Sequence, residues 1–202
     1  MKGIILLLTA LILSTGLYAQ TKTDHLAEGD LIFQTSLSAQ SKAIQLATKS
    51  RYSHCGLIFK DKDGYYVLEA ISQVKRTPLK LWINRGQGRS YVVKRLKNAK
   101  QILTLQKIAE MKKIGAQFSG KAYDLAFDWS DDKIYCSELI WKIYQRATGL
   151  EVGKLEKLRD FDLTNPIVRK KLKERYGNHI PMQETVISPV SIFNSKLLTM
   201  VN

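Results

Sequence analysis

Residues 53–70 constrain this chain more tightly than any other stretch, because they read as a β-hairpin with a defined register. Ser53 to Phe59 has a strand pattern, Asp61-Lys62-Asp63-Gly64 is a turn signal, and Tyr65 to Ala70 is a second strand. Alternation puts Ser53, Cys55, Leu57 and Phe59 on one face and His54, Gly56 and Ile58 on the other. With Lys60 opposite Tyr65, His54 falls opposite Ile71, and its diagonal neighbours are Glu69 and Gln73. Such a diagonal spans ~7–8 Å, within reach of a long side chain. A two-residue turn at Asp63-Gly64 would instead keep Glu69 on the His54 face but farther along. In both registers a carboxylate shares the face of an imidazole, with Gln73 as the fallback partner. Gly56, on the same face, leaves room there for a further side chain.

Around this hairpin the chain alternates between short strands and amphipathic helices. Gly29 to Phe33 reads as a turn feeding a first strand, and Ser41 to Lys49 as a short helix. Val74 to Thr77 and Tyr91 to Val93 read as further strands, separated by a helical turn after Pro78 that Gly86 and Gly88 break. Asn98 to Gln117 repeats Ile102, Leu105, Ile108, Ala109 and Ile114 near the helical period and is the longest helix candidate. Tyr123 to Trp129 is aromatic and ambiguous. Cys136 to Ala147 is a second clear helix, stopped by Gly149, and Pro166 to Tyr176 a basic one. The apolar tail Ile187 to Met200 is expected to pack back on the domain. Strands in the middle and helices on both sides make an α+β class.

Chemistry concentrates at Cys136. A thiolate is the working form of a cysteine nucleophile, and both a helix N-terminus and a nearby histidine stabilise it. Cys136 opens its helix, so the unpaired N–H groups of the first turn favour S⁻ and also suit an oxyanion. Taken singly, a cysteine before a helix, a strand histidine and a strand glutamate all have ordinary structural readings. Of three histidines, His25 lies near the N-terminus and His179 in a late loop, which leaves His54 to pair with the thiol. Cys55, on the opposite face from His54, reads as a small core hydrophobe away from the nucleophile, so no Cys55–Cys136 disulfide is expected. No zinc-type spacing, Gly-x-Ser-x-Gly elbow or phosphate loop occurs, and no metal or cofactor is expected.

The first 19 residues have a secretory layout: Lys2, an apolar run from Ile4 to Leu13, then Leu17-Tyr18-Ala19 before Gln20. That run is too short to span a bilayer, which takes ~20 residues. The expected organisation is a cleaved signal over 1–19 and one domain over 20–202, periplasmic or secreted and soluble. The formal charge of +14 concentrates in 94–113 and 154–175, which suits an anionic membrane or cell-wall surface. Export argues against nucleic acid as the partner.

Gly29-Asp30-Leu31-Ile32-Phe33, Tyr52-Ser53-His54-Cys55-Gly56-Leu57, Leu68-Glu69-Ala70, Tyr123-Asp124, Tyr135-Cys136-Ser137-Glu138-Leu139 and Ile187-Ser188-Pro189, in this order, resemble the YiiX/YaeF-type permuted papain-like amidases. These form the circularly permuted branch of the NlpC-type cysteine hydrolases, in which histidine precedes nucleophile. The resemblance implies a circularly permuted papain-like α+β fold, with a central antiparallel sheet packed by helices. It implies Cys136 as nucleophile, His54 as general base and acid, and Glu69 as the orienting group. Tyr123 and Tyr135 match aromatic positions near the cleft, and either is a candidate for the oxyanion site. Cys55 departs from the small apolar residue expected at its position. The implied substrate is a small amide or peptide, including cell-wall stem peptides. Two alternatives stand beside it: a lipid-acting relative like the lecithin:retinol acyltransferases, and a non-catalytic binding protein. The glutamate two residues after the cysteine, in Cys136-Ser137-Glu138, favours the amidase over the lipid-acting group.

Overall fold

The computed structural model describes residue 23 and residues 25–201; the expected signal over 1–19 lies outside the described residues. The chain runs through β1 (Leu31–Gln34), α1 (Ala39–Thr48), β2 (His54–Asp61), β3 (Gly64–Ala70), β4 (Val74–Pro78), α2 (Leu79–Arg85) and β5 (Tyr91–Leu96). It continues through α3 (Ala99–Ile102), α4 (Leu105–Gln117), α5 (Cys136–Thr148), β6 (Glu156–Lys157), α6 (Pro166–Tyr176), β7 (Thr185–Val186), α7 (Pro189–Phe193) and β8 (Leu198–Met200). Six strands form one antiparallel sheet in the order β4-β3-β2-β1-β5-β8, and β6 and β7 pair separately.

The hairpin adopts the register with Lys60 opposite Tyr65, carried one step further by Asp61 opposite Gly64. Its turn is therefore Lys62-Asp63, and Gly64 takes a φ of 113° that a side chain would strain. Alternation then sorts the sheet's two faces. Phe33, Cys55, Leu57, Phe59 and Leu68 pack into the larger core with Met111 of α4 and Leu139, Ile140 and Ile143 of α5. Ile32, Ile58, Val67 and Val93 pack on the opposite face against Leu79, Trp82 and Ile83 of α2. A third apolar cluster joins Leu46 and Ala47 of α1 to Val168 and Leu172 of α6.

Two expectations need correction. The helix expected over 98–117 is broken into α3 and α4, because Thr104 leaves the helical conformation and its hydroxyl accepts the Lys107 N–H as a new N-cap. The tail does more than pack back: β8 pairs with β5 and becomes the outermost strand of the sheet.

Candidate active site

His54 is the first residue of β2 and Cys136 the first of α5, so the sheet and the helical layer bring them together at one end. The diagonal anticipated in the hairpin is made: His54 Nε2 lies 2.6 Å from Glu69 Oε2. His54 and the Cys136 thiol also act on each other's titration, the imidazole shifted up and the thiol down. The imidazole stacks on Trp82, ring centroids 5.8 Å apart, which fixes its plane. Gln73, the fallback partner, instead bridges to Ala122 outside this cluster.

Glu69 is fully buried and held from three sides. Besides His54, it accepts from Thr77 Oγ1 at 2.6 Å and from Arg85 Nη2 at 2.7 and 2.6 Å. Burial alone would push this carboxyl up, but His54, Arg85 and Thr77 outweigh it and hold the pKa at about 2. Glu69 is thus a fixed anion beside the imidazole. Burial disfavours charge on His54, yet the hydrogen bonds to Cys136 and Glu69 raise its pKa to about 9. The thiol of Cys136 is held well below its ordinary value by hydrogen bonds from Cys55 and His54, against burial. These shifts favour a thiolate on Cys136 beside a charged imidazole.

Cys55 overturns the separation expected from strand alternation. It does face away from His54, but α5 packs on that same face, so Cys55 and Cys136 share one core and each thiol shifts the other's titration. Alternation sorts a strand's own side chains and is silent on which layer brings the helix. Both cysteines are free, as expected. Gly56 likewise leaves no spare room: a Cβ there would come within 2.3 Å of Val67 Cγ1.

The start of α5 is secured on both sides. Ser137 Oγ donates to the Ile187 carbonyl at 2.7 Å, and the Ile187 N–H donates to the Tyr135 hydroxyl at 3.0 Å. Glu138, fully buried, accepts from the Tyr135 N–H at 3.4 Å and pairs with Lys142 Nζ at 2.7 Å. Burial pushes Glu138 up to about 7 although Lys142 opposes it. Lys142 also reaches Asp131 at 2.9 Å and tethers the loop before the nucleophile.

Both tyrosines line the cleft with Cys136, and both hydroxyls accept: Tyr135 from the Ile187 N–H at 3.0 Å, a latch beside Cys136, and Tyr123 from Gln40 Nε2 at 3.1 Å, each keeping its own proton to donate. Burial raises both phenols well above their ordinary range, so both remain protonated. Gln40, Trp82, Thr77 and Arg85 were not foreseen from the sequence. Thr77 was the findable one, since it lies diagonal to Glu69 across β3 and β4 by the same rule that found Glu69.

Cys136 opens onto a pocket of about 100 Å³ with almost wholly apolar walls, including Ile44, Phe127, Leu158, Leu163 and Val186. Lys171 and Arg175 of α6 line it too, and Arg175 lies 4.9 Å over the Phe127 ring. A wider polar trough continues from it past Thr48, Phe161 and Ser188 toward Lys154, Glu156 and Asp160. Among the described residues no group of three or more His, Cys, Asp and Glu side chains forms a metal-ligand set.

Residues 25–202 match the family model described as "Permuted papain-like amidase enzyme, YaeF/YiiX, C92 family". The chain is 47% identical over 201 residues to the uncharacterized protein YiiX of Escherichia coli strain K12, covering 100% of this chain and 96% of that one. The crystal structure of the metalloprotein yiiX from Escherichia coli O157:H7 matches with a TM-score of 0.83 at 48% identity, over 88% of this chain and 97% of that chain. The chain belongs to the permuted papain-like amidase family of YaeF and YiiX.

Proposed function

We propose that this protein is an exported amidase that cleaves a small amino-acid or peptide amide through a Cys136–His54–Glu69 triad and a thioester intermediate. The observation that carries this reading is the 2.6 Å contact of His54 with the buried carboxylate of Glu69, with the Cys136 thiol drawn down by the same imidazole. Cys136 attacks the carbonyl as a thiolate. The unpaired backbone N–H of Cys136 in the first turn and the Tyr123 hydroxyl receive the oxyanion. His54 gives its proton to the leaving amine, then takes one from the water that resolves the thioester. Glu69 holds the imidazole in orientation and stabilises its charge.

The cleft suggests how the substrate lies. A volume of about 100 Å³ is on the scale of apolar cavities that take one small hydrocarbon, so a short apolar group fits beside the thiol. The polar trough would take the rest of an amino-acid or peptide substrate, and Lys171 and Arg175 favour a carboxylate at the junction. The basic helix α6 suits an anionic envelope surface. The Escherichia coli O157:H7 relative is called a metalloprotein, but its metal finds no matching ligand set among the described residues, so no step is routed through one.

The test is labelling of the reduced protein with iodoacetamide near neutral pH. Cys136→Ala should abolish labelling, His54→Ala should slow it by about tenfold or more as the thiolate loses its counter-ion, and Cys55→Ala should leave it at Cys136. Labelling that follows Cys55, or that ignores His54, overturns the triad. Turnover of amides but not of esters in phospholipid vesicles would separate this reading from a lipid-acting enzyme.

A further inference from the structure

Cys55 has no part in the chemistry above, yet it is the second thiol of the site. It is fully buried and does not line the cleft, whereas Cys136 does. The two cysteines lie in the same core cluster between β2 and the start of α5, and each thiol acts on the other's titration, Cys136 shifted down and Cys55 up. They come from different layers, β2 and α5, and both are reduced. A small neutral oxidant entering the cleft therefore meets Cys136 first and can reach Cys55 only through it.

We propose that Cys55 is a resolving cysteine: with hydrogen peroxide, Cys136 and Cys55 close into a reversible disulfide that switches the nucleophile off and protects it from over-oxidation. The proposal rests on Cys136 being the reactive thiolate described above. In the first step the Cys136 thiolate attacks one peroxide oxygen, the O–O bond breaks, and hydroxide leaves with the proton of His54 as water. Cys136 becomes a sulfenic acid. In the second step the Cys55 sulfur attacks the Cys136 sulfur, the S–O bond breaks, and the hydroxyl leaves with the Cys55 proton as a second water. Two thiols have lost two hydrogen atoms, and one peroxide has become two waters. A dithiol reductant reverses the bond by thiol–disulfide exchange.

A buried partner suits this task. Burial pushes the Cys55 thiol up, so it remains protonated and inert to reagents in the cleft. Its place in the same core as Cys136 makes the second step intramolecular, which compensates for a weak nucleophile. Without Cys55 the sulfenic acid would wait in an open pocket for further peroxide and proceed to the sulfinic acid, which a dithiol does not reverse.

The experiment treats the full chain with hydrogen peroxide and follows intact mass, peptide maps and iodoacetamide labelling at Cys136 before and after dithiothreitol. The wild type should lose two hydrogen atoms, show a Cys55–Cys136 cross-linked peptide and recover its full labelling on reduction. Cys55→Ala, with Cys55→Ser as a second variant, should gain oxygen at Cys136 and recover less than about a tenth of its labelling. Oxygenated Cys136 in the wild type with no cross-link overturns the proposal, as does indifference to peroxide in a protein whose Cys136 labels normally. Failure of reduced Cys136 to label at all overturns the underlying triad as well, which separates the two failures. If neither variant folds, the wild-type peptide map alone decides.

Discussion

At the residue scale Cys136 and His54 shift each other's titration, the thiol down and the imidazole up. Glu69 sets the terms because its pKa near 2 leaves it ionised wherever the protein folds. The His54 pKa of about 9 depends on both anions, so removing either should bring it down. NMR titration of the His54 imidazole should therefore show a lower pKa in Cys136→Ala and in Glu69→Gln than in the wild type. Glu69→Gln should also cut kcat by roughly a thousandfold or more, since loss of the orienting carboxylate of a triad costs about 10⁴. An unchanged imidazole titration in Cys136→Ala would mean that no ion pair forms.

At the scale of elements, the β2–β3 hairpin carries the site, and its tightest point is Gly56. A Cβ there meets Val67 Cγ1 at 2.3 Å and the Leu68 carbonyl oxygen at 3.0 Å, and the backbone oxygen cannot yield. Gly56→Ala should destabilise the protein by about 1–3 kcal/mol, as overpacking does, read as a lowered denaturant midpoint at unchanged slope. This hairpin was also the most legible part of the sequence. Its period, turn residues and register all follow from local rules, and they predicted the His54–Glu69 contact. Arg85 and Trp82 were illegible for the opposite reason: they reach the site only through how α2 lies across the sheet, a tertiary fact with no local pattern. Cys55 failed in a third way, because face assignment is local but the layer chosen by α5 is not. The Thr104 cap was visible as a residue type yet lay inside an apolar repeat that outweighed it.

For the whole molecule, acid stability follows from the buried anion. Glu69 has a folded pKa of about 2 against an ordinary 4.5, so its contribution is fully present above pH 4.5 and is lost as pH falls toward 2. The loss should reach about 3 kcal/mol at most. Chemical denaturation from pH 4.5 down to 3, below the range in which Glu138 titrates, should show falling stability in the wild type and a flatter limb in Glu69→Gln; parallel limbs would remove Glu69 as the cause.

The latch between Tyr135, Ser137 and Ile187 has a temporal meaning as well. Chains are made from the N-terminus, and domains tend to fold in that direction. Five of the six strands of the main sheet are complete by Leu96, with His54 and Glu69 already in register. The start of α5 also depends on a segment some fifty residues beyond Cys136. A nascent chain thus assembles its proton-handling half early and receives this support for its nucleophile only some fifty residues after Cys136 is made.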